Sequence, residues 1–267
     1  MCLQTIFYYG VIYFIFLALG LENFSIKRFY KILFHLPLYF GQSFISCYVA
    51  LYLLSPFINK LINACNKKEL TLLMSILLLL QTVCSTFFLN EYFDAIGWYS
   101  TVYIIGAYLR LYSNDFLKSK KITGIVCILC IVFSWITIIG ILFLTKIIGK
   151  QLPYYHFVNN ANKLFAILSA ISLFLFFRNL NLATNKIINT FAASTFGVLL
   201  LHQNVVIPKY IWQEVFNNLN AFESYPSWKF VLHLIISVIL VYITSVFIDI
   251  LLRKTIWLIK SLKYKEQ

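Results

Sequence analysis

The amino-acid sequence predicts an all-α fold: a polytopic membrane helix bundle of about eight transmembrane helices, with both termini in the cytoplasm. Three observations predict it. Of the 267 residues, 61% are hydrophobic and only 12% charged, whereas a soluble domain carries about a quarter charged residues. Mean hydropathy is +0.83. The apolar residues fall in runs long enough to cross a bilayer, separated by short charged stretches, a pattern that no soluble core needs.

The runs, in chain order, are Thr5–Gly20, Leu38–Ile58, Leu70–Leu89, Ala95–Tyr112, Ile122–Leu144, Ala161–Phe177, Ile187–Pro208 and Lys229–Leu252. No Lys or Arg precedes the first, and no small-residue cleavage site follows it, so it reads as an uncleaved helix rather than a signal peptide. The second opens with HLPLYFGQSF, which places His35, Tyr39, Gln42 and Ser43 near one surface. It closes with LYLLSPFINKL, where Ser55–Pro56 marks a kink at the helix end. In the fourth, the small step Gly106–Ala107 allows close helix approach just before Tyr108 and Arg110. The fifth holds Cys127 and Cys130 at CxxC spacing, with no His or carboxylate nearby. These and the other four cysteines read as small apolar residues, and no metal site is expected. After the eighth run comes a short basic tail, Leu258–Gln267. No linker or convincing repeat divides the chain, so residues 1–267 read as one membrane-embedded domain.

Charge sets the orientation. With eight crossings, the side holding both termini collects 14 of the 22 Lys and Arg residues, Arg110 and Arg178 among them. The other side holds eight, including Lys163. The richer side is cytoplasmic. The net charge of +13 is thereby explained by topology and anionic lipid, without a nucleic-acid partner.

The seventh run gathers the most hydrogen-bonding groups. Ser194, Thr195 and Gly197 precede His202, Gln203 and Asn204, and a helix would put His202 on the face of Thr195. Hydrocarbon solvates such groups poorly, so each needs a partner or a task. A neutral imidazole can take a proton from an attacking hydroxyl, and it can equally hold two helices together; the residues alone leave both roles open. Arg110 presents the forked donors that hold a phosphate, or else snorkels to water as a cytoplasmic flank. The catalytic candidate is thus His202, as base or supporting group, and the substrate-side candidates are Arg110, Tyr108, Gln203, Asn204 and His35. His156 and His233 each stand alone and read as structural. There is no GxSxG, P-loop, HExxH or dinucleotide glycine fingerprint.

Three segments in order, ALYLLSPFINKLI (Ala50–Ile62), GWYSTVYIIGAYLRLY (Gly97–Tyr112) and IINTFAASTFGVLLLHQN (Ile187–Asn204), resemble the bacterial integral-membrane acyltransferase 3 family. The resemblance implies a multi-pass protein of the bacterial cytoplasmic membrane. It implies transfer of an acyl group, commonly acetyl, from cytoplasmic acyl-CoA to a hydroxyl of a surface polysaccharide, without a metal. His202 matches the family's late histidine, and Arg110 a basic residue of the inner side. One departure stands out: the family's first two helices, with an early histidine taken as catalytic, have no counterpart, and Met1 falls near the start of its third. The chain therefore looks front-truncated, without the family's early histidine, which leaves open whether it is active alone. Two other expectations stand beside the enzyme: a non-enzymatic polysaccharide export or polymerisation protein, and a non-functional remnant.

Overall fold

A computed structural model describes residues 2–30, 32, 44–88, 94–202 and 207–263. The described residues form helices and connecting turns, with no strand among them. Among the described residues, four helices are long and apolar enough to cross a membrane, or five if one bent pair counts as a crossing. The remaining apolar runs make shorter helices. The 15 residues of Leu164–Arg178 rise only about 23 Å, less than a hydrocarbon core about 30 Å thick.

The chain divides into two compact units, Leu36–Leu182 and Met1–His35 with Ala183–Gln267. In the first of these, α2 (Phe44–Ala64) continues through Pro56, which sequence placed at a helix end. Proline cannot donate to the carbonyl four residues back, and here the Ser55 hydroxyl donates to that carbonyl, Tyr52 O, at 2.8 Å. An Asn66–Glu69 capping box opens α3 (Lys67–Leu78), with Glu69 N donating to Asn66 Oδ1 at 3.0 Å and Asn66 N to Glu69 Oε2 at 2.8 Å. The helix then widens into a π turn, Leu79–Cys84, and ends at Phe87. The Asp94 carboxylate caps α4 (Ala95–Leu111) by accepting from Ile96 N and Gly97 N. Leu70 and Ile104 bury together with Ile62 where α2, α3 and α4 meet.

A single turn, α5 (Asp115–Lys118), leads to α6 (Lys120–Ile148), which stops at Gly149 in the left-handed region (φ 69°). α7 (Leu164–Arg178) runs antiparallel to α6: Phe165 stacks on Phe133, and Phe176 covers Gly124.

Sequence started the sixth span at Ala161 and gave Lys163 to a charged loop. Instead Asn162 and Lys163 are fully buried. Both side chains bond to the π turn and the short helical turn that follows it. Asn162 Nδ2 donates to Gln81 O at 2.9 Å and to Ser85 Oγ at 3.0 Å. Lys163 Nζ donates to Ser85 O at 2.5 Å. His156, read as structural, donates from Nε2 to Thr86 O at 2.7 Å.

The other unit contains α1 (Cys2–Ala18), α8 (Lys186–His202), α9 (Asn218–Ser224) and α10 (Ser227–Lys263). Asn185 caps α8 through Ile187 N and Ile188 N. The seventh run was expected to be one helix through Pro208. The described helix covers Lys186–His202, and the axis of residues 207–224 differs from its own by 88°. His233 Nε2 donates to Asn218 Oδ1 at 3.1 Å and ties α10 to α9.

Replacing Asn162 with Ala strands Gln81 O and is expected to lower stability by about 1–3 kcal/mol. Thermal unfolding of the detergent-solubilised protein measures this; an unchanged midpoint would mean that the contact holds nothing.

Candidate functional site

An aspartate inside an apolar helix is costly unless it is paired. Asp249 lies in the apolar part of α10 with its side chain only 1% exposed, while Arg253, one turn on, is 40% exposed. Arg253 Nε sits 2.8 Å from Asp249 Oδ2 without lining up as a hydrogen bond, so this is an ion pair by proximity. Tyr8 of α1, itself buried, donates to Asp249 Oδ1 at 2.5 Å. From α8, Ser194 Oγ accepts from Arg253 Nη2 at 2.6 Å and donates to Thr190 O at 3.2 Å. The Asp249 carboxylate also presses on the backbone at Gly197, where any added Cβ would overlap it. Three helices therefore converge on one carboxylate.

His202 lies further along α8, half-buried. Its Nδ1 is 2.7 Å from Val198 O on the previous turn. A carbonyl oxygen only accepts, so Nδ1 carries the proton of that bond. In the neutral ring this tautomer leaves the lone pair on Nε2, which has no partner among the described residues. The imidazole is thus oriented by its own helix and presents a proton acceptor. Thr195, expected on the same face, is exposed and bonds back to Phe191 O. Eight residues separate Ser194 from His202, about 12 Å along the helix, so the ion-pair network and the imidazole are separate features.

In the other unit, Arg110 near the end of α4 is exposed and has no hydrogen-bond or ion-pair partner among the described residues. It lines two clefts. The one between α2 and α4 encloses about 460 Å³ and is lined by Asn59, Asn63 and Tyr103 beside Arg110. The one between α4 and α7 encloses about 580 Å³, with Lys118 and Arg178 beside Arg110. Arg178, by contrast, is engaged: it donates to Leu109 O, Ser113 Oγ and Leu117 O, and so ties the α4–α6 connection to the end of α7. Tyr108 turns away from Arg110. Its hydroxyl bonds with Thr71 Oγ1 on α3 at 3.2 Å, and its ring packs near Leu70 and Ile104.

Of the sequence-predicted candidates, His202, Arg110 and Tyr108 are therefore placed. His35, Gln203 and Asn204 lie outside the described residues. Cys47, Cys65, Cys84, Cys127 and Cys130 are free thiols. Sequence reasoning marked Asp249 as the one carboxylate well inside a span but overlooked Tyr8 and the pairing of Asp249 with Arg253. The pair did leave a signal, opposite charges four residues apart on one face of an apolar helix; Tyr8 left none.

A family model described as an acyltransferase domain matches residues 2–250. Neither a curated protein nor a solved structure matches the chain.

The exposure of the ion pair makes its two ends unequal. Arg253→Gln leaves a buried carboxylate with one tyrosine hydroxyl and is expected to cost about 3 kcal/mol or more. Asp249→Asn frees an arginine that already reaches water and costs less. The double variant should recover part of the Arg253→Gln loss. Equal losses from the two single variants in thermal unfolding would contradict this assignment. Gly197→Ala is expected to destabilise by about 1–3 kcal/mol through overlap with the carboxylate.

Proposed function

The chain belongs to the acyltransferase 3 family, and from that premise we propose that it moves an acyl group, acetyl first among candidates, from acyl-CoA to a hydroxyl of a cell-surface polysaccharide. At the coarser level the assignment is a multi-pass membrane O-acyltransferase, consistent with the family and with the apolar helices. The finer reading places it in a bacterial cytoplasmic membrane, with eight crossings, cytoplasmic termini, Arg110 at the inner side and His202 toward the outer side. The lysine and arginine bias along the sequence supports this orientation.

The observation that carries the chemistry is the fixed tautomer of His202. An alcohol is a weak nucleophile until its proton has somewhere to go. In the proposed step, Nε2 takes the proton of the acceptor hydroxyl as its oxygen attacks the thioester carbonyl. The carbon–sulfur bond breaks, an ester forms, and the imidazolium returns the proton to the departing CoA thiolate. The Val198 carbonyl favours the ring orientation that this needs and accepts from the same Nδ1–H in both charge states.

For the donor's phosphates, support comes from the lining of the α2–α4 cleft. Arg110 there offers forked donors free of any carboxylate. Asn59, Asn63 and Tyr103 add polar groups suited to the amides of the pantetheine arm, with Tyr103 already donating to Asn59 Oδ1 at 2.9 Å.

Deleting the gene is expected to remove O-acyl esters from a surface polysaccharide, read by NMR before and after mild base. An unchanged ester content would count against the proposal. Complementation with His202→Ala should restore membrane insertion but leave transfer about 100-fold or more below wild type. Full ester content in that variant would return His202 to a packing role.

A further inference from the structure

We propose that the α4–α7 side of the basic cleft binds an anionic membrane phospholipid, its phosphate among Arg110, Arg178 and Lys118 and one acyl chain in an adjoining apolar groove. This inference does not rest on the acyltransferase reading.

The groove holds about 260 Å³ between the same two helices. Val102, Ile105 and Leu109 line it from α4, and Ile167, Ala170 and Phe174 from α7. These positions follow the i, i+3, i+7 stripe on each helix, so the groove runs along the helices for about 10 Å. Gly106, Leu109 and Phe174 line both the groove and the basic cleft, which makes the two spaces continuous. Gly106 has open space where a Cβ would stand, so its missing side chain leaves the junction clear.

Charge selects the head of the ligand. Neither Arg110 nor Arg178 has a carboxylate partner among the described residues. Lys118 faces only Asp115, 3.7 Å away with both side chains in solvent, a pairing too exposed to neutralise it. Basic pockets between membrane helices hold anionic headgroups for this reason.

The groove selects the tail. In a phospholipid, hydrocarbon begins one glycerol unit from the phosphate, and here apolar lining begins at the edge of the cation cluster. In an acyl-CoA, the pantetheine arm, with two amides and a hydroxyl, lies between the phosphates and the acyl chain. The groove's side chains offer those groups no partner, and unpaired polar groups there would be costly. The polar α2–α4 cleft suits that arm better, so the two sides of Arg110 differ in kind.

The test uses the full chain in nanodiscs of phosphatidylcholine alone or with phosphatidylglycerol. Retained lipid is counted by native mass spectrometry, and unfolding midpoints are recorded. Wild type is expected to retain a single phosphatidylglycerol in preference to phosphatidylcholine and to unfold at a higher temperature with it. Arg110→Gln should weaken that preference about fivefold, and Arg110→Lys should keep most of it. Ala170→Leu, which fills the groove without touching the cations, should lose the lipid while keeping the wild-type midpoint in phosphatidylcholine. Equal retention of both lipids or full retention by Ala170→Leu would each overturn the proposal.

Discussion

A carboxylate within an apolar helix sets the terms for the terminal unit. Asp249 cannot remain charged in hydrocarbon unless the chain brings it partners, and the nearest is Arg253 on the same face one turn away. That pair alone would leave one oxygen unmatched. Tyr8 completes it from a helix 241 residues distant in sequence, and Gly197 lets α8 close over it. Each requirement narrows the ways in which α1, α8 and α10 can assemble. Buried ion pairs add little net stability because desolvation offsets the Coulombic gain. Their effect here is on arrangement: α1, α8 and α10 all meet at the carboxylate.

The other unit solves a related problem with neutral acceptors. A π turn at Leu79–Cys84 follows α3, and from a distant loop Asn162 bonds to Gln81 O within it and Lys163 to Ser85 O in the short helical turn after it. Arg178 does the same for the α4–α6 connection. Polar side chains that might have read as site residues are thus accounted for by backbone. Arg110 is different. It is a guanidinium with no partner among the described residues, placed between one polar cleft and one that leads to an apolar groove. Unsatisfied donors beside open volume mark a place for a ligand more reliably than charge alone does.

Much of the helical layout was legible because apolar runs bounded by Lys, Asn and Asp are local signals. His202 and Arg110 stood out as polar residues in apolar surroundings; His202 bonds to its own helix through Nδ1, and Arg110 lines two clefts. The errors share a cause. Ser55–Pro56 was read as a helix end because the sequence could not show that Ser55 would serve the freed Tyr52 carbonyl. Lys163 was read as a loop charge because its partner, Ser85 O, is a backbone atom 78 residues away. Tyr8 carried no mark, since one tyrosine among many aromatic residues looks like filling or an interface anchor. Local chemistry survives in sequence, whereas a bond made across the fold leaves no pattern at either end.

In the proposed transfer, His202 is held by its own helix through Nδ1 and takes the hydroxyl proton at Nε2. The most direct measurement uses membranes containing the full chain, acetyl-CoA labelled in its acetyl group, and a surface polysaccharide with free hydroxyls. The expected result is label in the polysaccharide that requires the chain and is released by mild base, as an oxygen ester would be. Base-labile label that is the same with and without the chain would contradict the assignment.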